Sequence, residues 1–92
     1  GPRHPLGTRA ALRRVLVALA EARLRRPGAP LSLDDLIEAG WPGQRLRGEA
    51  AANRTYVLLS ELRRLGLRDV LQRHDRGYRL DPAVRVRIDE RG

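Results

Sequence analysis

The segment EAAANRTYVLLSELRRLG, residues 49–66, repeats its apolar residues with the three-and-four spacing of an α-helix. Projected at about 100° per residue, Ala51, Thr55, Leu58, Leu59, Leu62 and Leu65 share one face. Asn53, Val57, Ser60 and Arg64 gather on the opposite face, flanked by Tyr56 and Arg63. A helix is expected over 49–65, closed by Gly66 in a left-handed conformation. Its outer face is polar without being simply charged, and it carries one valine.

The preceding residues supply two more helices. Leu12, Val15, Leu16 and Leu19 form an apolar stripe that Ala11 and Ala22 widen. Thr8 is the expected N-cap of this first helix, and Pro27, Gly28 and Pro30 end it near Arg26. Residues 30–32 read as a short extended piece able to offer an edge pairing of one or two residues. Ser32, with Asp35 three positions on, has the spacing of a capping box and opens a second helix. Leu33, Leu36 and Ile37 give that helix its apolar side, and Asp34, Asp35 and Glu38 suit the positive end of its dipole. Gly40 ends it, Trp41 follows, and residues 42–48 form a turn-rich connection.

After residue 66 the pattern changes to strands. Residues 70–74 and 78–80 read as a β-hairpin joined at Asp75, Arg76 and Gly77. Val84, Val86 and Ile88 alternate with charged residues, which fits either a further strand or a tail. Residues 1–7 read as a leader containing the scar of a cleaved tag, residues 8–81 as the domain, and residues 82–92 as a tail or added edge strand. The expected fold is mainly α with a small β-hairpin: a winged helix-turn-helix of three helices plus a C-terminal wing.

Composition narrows the function. Hydrophobic residues make up 41% of 92 residues, enough for one small core. With no cysteine there is no disulfide framework or thiol nucleophile. The longest apolar run, residues 15–20, is too short to span a bilayer, and no signal peptide is evident, so the cytoplasm is the default location. The 19 basic residues, all arginine, outweigh 11 acidic ones and leave a net charge of +8, which fits an anionic partner. An all-arginine set beside abundant Ala, Leu, Gly and Pro is also what a GC-rich genome produces, so placement matters more than the total. His4 and His74 lie far apart with no third ligand nearby, and no metal or cofactor is expected. No nucleophile–base pair or phosphate-binding glycine loop is present, so neither an enzyme nor a small-molecule substrate is expected.

Three motifs resemble a known family. LSLDDLIEAGW (31–41) resembles the second helix of OmpR/PhoB-type winged-helix effector domains, SELRRL (60–65) the end of their recognition helix, and GYRL (77–80) the strand that closes their wing. The family's usual N-terminal sheet has no counterpart here. The resemblance implies a bacterial transcriptional regulator module, with helix 49–65 in the major groove of double-stranded DNA and the 73–79 wing on the adjacent backbone. It implies base contacts from Asn53, Tyr56, Val57, Ser60 and Arg64, and backbone contacts from Arg54, Arg63, Arg73, Arg76 and Arg79. The chemistry agrees, since Asn pairs bidentately with adenine, Arg with guanine, and Val packs on a thymine methyl. A second copy of the chain, or further domains of a larger signalling protein, would be additional partners. The alternative is a winged helix that binds protein or dimerises instead of binding DNA. Glu61, Val57 and the absent sheet favour that alternative.

Overall fold

The computed structural model describes residues 6–44 and 48–87. It contains three helices and three short strands: α1 (Leu6–Arg25), β1 (Leu31–Ser32), α2 (Leu33–Gly40), α3 (Gly48–Leu62), β2 (Leu71–His74) and β3 (Gly77–Leu80). The strands form one antiparallel sheet in the order β1–β3–β2. The expected edge pairing of residues 31–32 is therefore real: Leu31 sits opposite Tyr78 and Ser32 opposite Gly77. On the other side of β3, Leu71 faces Leu80 and His74 faces Gly77.

The core lies between the helices and the inner face of this sheet. Ala11, Val15, Leu19 and Ala20 of α1 meet Leu36 and Trp41, then Leu58, Leu59 and Leu62 of α3, and Leu71, Tyr78 and Leu80 from the sheet. Trp41 and Tyr78, expected to pack behind the second helix and under the hairpin, are both buried. Among the described residues Thr55 is the one buried polar residue of the core, and its hydroxyl donates to the Ala51 carbonyl oxygen at 2.8 Å, which removes the penalty of burying it. The capping box of α2 is complete. The Asp35 amide donates to the Ser32 hydroxyl at 3.0 Å, and the Ser32 amide donates to the Asp35 carboxylate at 3.0 Å.

Several local expectations need correction. Helix α1 starts at Leu6, so Thr8 lies within it and is not the N-cap, and the end of the supposed leader is already helical. Leu65, placed on the core face by helical spacing, is 61% exposed. The cause is a wide π-type turn over Arg63–Leu67 with Gly66 at φ 125°, which breaks the 3.6-residue phase just after Leu62. Leu67 takes the inward place and packs against the core.

Residues 84–87 form no strand, yet they are not loose. Arg23 donates to the backbone carbonyls of Asp81, Pro82 and Val84 at 3.3, 2.7 and 2.9 Å, and Val86 packs against the core. Residues 81–87 are thus strapped to α1. Residues 1–5 with His4, the middle of the 42–48 connection at 45–47, and the alternation at Ile88 lie outside the described residues.

Gly77 was expected in the hairpin turn and instead lies in β3, where its missing side chain lets β1 approach. A Cβ there would run into the Leu31 carbonyl oxygen and also press on the Pro30 ring at 3.1 Å. Gly77→Ala should therefore lower stability by about 1–3 kcal/mol, in the range of an overpacked core site. Urea denaturation would measure it, and a midpoint equal to that of the wild type would contradict this packing.

Candidate nucleic-acid interface

Helix α3 presents two unlike faces because its inward positions are fully committed. Ala51, Thr55, Leu58, Leu59 and Leu62 are buried, which turns Asn53, Val57 and Ser60 to solvent, with Arg64 exposed one turn further on. Val57 is 68% exposed and Tyr56 45% exposed. These five residues, expected to read bases, form one open strip along the helix and its last turn. The only ion pair among the described residues lies here, Arg64 to Glu61 at 3.4 Å. Exposed pairs of this kind contribute well under about 1 kcal/mol, so Arg64 remains available to an outside partner.

The arginines expected to hold phosphates differ in how they are placed. Arg54 is exposed, and its guanidinium carbon stands 5.8 Å from the centre of the Trp41 ring. This cation–π contact joins the middle of α3 to the end of α2 and restricts the arginine to one region of space. Arg63 is half-buried beside Arg64, and Arg73 and Arg76 are exposed on the hairpin. Arg79 is engaged internally. Its Nε donates to the Gln72 side-chain oxygen at 3.0 Å and its Nη1 to the Gly28 carbonyl at 2.9 Å, which ties β3 to the loop after α1.

The hairpin turn carries the main backbone anomaly. Asp75 and Arg76 are its central residues, with φ of 51° and 67°. Two consecutive positive φ values match a type I′ turn, a geometry that favours glycine at the second central place. An arginine held there pays a conformational penalty and projects a cation from the tip of the hairpin.

Sequence reasoning missed the internal work of three arginines. Arg23 and Arg79 anchor distant backbone, and Arg14 donates to the Gly40 carbonyl at 3.3 Å where α2 ends. One signal was available for Arg23: it follows Leu19 by four residues, so it lies on the buried side of α1 and needs partners there. Among the described residues no cluster of three or more potential metal ligands occurs, and no helix is long and apolar enough to cross a membrane. No family model, curated protein or solved structure matches the chain.

The turn geometry gives a direct check. Arg76→Gly relieves the left-handed strain and should raise stability by about 0.5–1 kcal/mol, seen as a higher melting temperature. A lower melting temperature would show that the Arg76 side chain makes a stabilising contact within the molecule.

Proposed function

We propose that this chain is a winged helix-turn-helix module, similar to OmpR/PhoB-type effector domains, that binds double-stranded DNA as part of a cytoplasmic bacterial transcriptional regulator. The observation that carries the reading is the open strip on α3, where side chains able to discriminate bases lie together on a helix whose other face is sealed in the core. An α-helix has the width that a major groove admits. The element order agrees with the reading, since three helices followed by a hairpin are the parts of a winged helix.

In this reading Asn53 and Arg64 pair with adenine and guanine edges, each contributing about 1–3 kcal/mol of discrimination. Val57 packs on a thymine methyl, and Tyr56 and Ser60 complete the base-facing set. Arg54, Arg63, Arg73 and Arg76 fix the register through phosphates. Trp41 holds Arg54 in place before binding and so reduces the entropy lost on contact. Arg79 serves chiefly by stiffening the hairpin that carries Arg73 and Arg76.

One observation favours a second reading. Of the four exposed large hydrophobics among the described residues, Tyr56, Val57 and Leu65 belong to α3 and its final turn. A helix face of that character also suits a protein partner, which would bury Val57 at its centre.

Titrating labelled duplex at several salt concentrations separates the two readings. About four phosphate contacts predict a log–log slope near −4. Absence of binding at low salt, or an affinity indifferent to salt, would reject the DNA reading. Within it, Arg64→Ala should narrow the gap between preferred and random duplex, whereas Arg76→Gly should weaken both alike while the fold is retained. Identical effects of the two substitutions would refute this division of labour.

A further inference from the structure

Among the described residues, nothing packs over the outward face of α1. Taking about 100° per residue, Ala10, Val17 and Leu24 follow one another at seven-residue intervals along its centre. Leu24 is 48% exposed. A shallow depression on this face is lined by Ala10, Arg13, Arg14, Val17, Ala18 and Glu21. Arg14 and Glu21 sit on the same flank of the strip. Among the described residues Glu21 has no ion-pair partner.

We propose that this face pairs with the same face of a second copy, the two α1 helices running antiparallel about a two-fold axis at Val17. The pattern is self-complementary in that arrangement alone. In an antiparallel two-fold pair, equal flanks meet and positions equally far before and after the axis come level. Arg14 lies three residues before Val17 and Glu21 four after it. Arg14 of each copy therefore comes within about 1.5 Å, along the axis, of the level of Glu21 in the other. Two ion pairs form across the seam. Ala10 and Leu24, seven residues to either side, place a small side chain against a large one at each end, and the valines meet in the middle. The aliphatic stem of Arg13 covers Leu24 from the other flank. A parallel pair would bring opposite flanks together, setting Arg14 against the partner's Arg13 and leaving Glu21 with no cation across the seam, and is disfavoured by like charge.

The bond from Arg14 to the Gly40 carbonyl uses Nη1 and leaves its other nitrogens for the partner's carboxylate. A single helix pair is smaller than the standard interface of about 800 Å² per partner, so association is weak, with a Kd on the order of 100 µM. The inference does not depend on DNA binding. Where both hold, the dimer would match an inverted repeat.

Sedimentation equilibrium of the DNA-free protein, from about 10 µM to about 1 mM at low salt, tests the proposal. The wild type is expected to move from monomer mass toward dimer mass. Glu21→Arg, an exposed change remote from α3 and the hairpin, should stay monomeric, as should Val17→Asp. The double exchange Arg14→Glu with Glu21→Arg should restore association, its folding confirmed by an unchanged circular dichroism spectrum. A wild type that remains monomeric throughout, or a Glu21→Arg variant that associates as the wild type does, overturns the pairing. Duplex binding by Glu21→Arg reports on α3 separately, so failure of one claim is not mistaken for failure of the other.

Discussion

Burial of one side of α3 is the constraint on which the remaining arrangement depends. Leu58, Leu59 and Leu62 are nearly inaccessible, and Ala51 and Thr55 complete a continuous inward face. Each large side chain of that kind gains roughly 1.5–3 kcal/mol on leaving water, so the helix has no freedom to roll. The positions opposite must then face outward, whatever residues occupy them. The character of those residues is consequently a choice independent of folding. A helix selected only for solubility would carry charges there, and this one carries Asn53, Val57 and Ser60.

A second constraint joins the hairpin to the helices. β3 is the central strand, and the absent side chain of Gly77 lets β1 lie against it. Because β1 leads directly into the cap of α2, the position of the hairpin is linked to the helix that packs on α3. Arg79 reinforces the link by reaching the Gly28 carbonyl, and Arg23 closes the other end by holding the backbone after β3. Two half-buried arginines, Arg23 and Arg79, thus do structural work in a protein with no lysine, and the net charge of +8 overstates the cation supply open to a partner.

Much of this was legible in the sequence because it rests on local periodicity. The spacing of Leu58, Leu59 and Leu62 implied the inward face of α3, and Ser32 with Asp35 implied the start of α2. Those signals come from residues within one or two turns of each other. What escaped depends on contacts distant in the chain or on broken phase. Arg79 and Gly28 are 51 residues apart, and Arg23 and Asp81 are 58 apart. Leu65 was misplaced because helical spacing cannot foresee a π-type turn. Gly77 looked like a turn glycine because it adjoins Asp75 and Arg76, while the true reason for it is a close approach by the backbone of Leu31, in a strand far earlier in the chain. The outer strip of α3 was identified residue by residue, since amphipathic spacing shows what is left outside as well as what is buried.

We propose the outer strip of α3 as the docking face for duplex DNA. Amide chemical-shift mapping by NMR during titration with a short duplex tests it residue by residue. Shifts are expected to concentrate at Asn53, Tyr56, Val57, Ser60 and Arg64 and at the hairpin tip around Arg73 and Arg76, with Glu21 and its neighbours on α1 unchanged. Shifts confined to α1, or none at low salt, would contradict it.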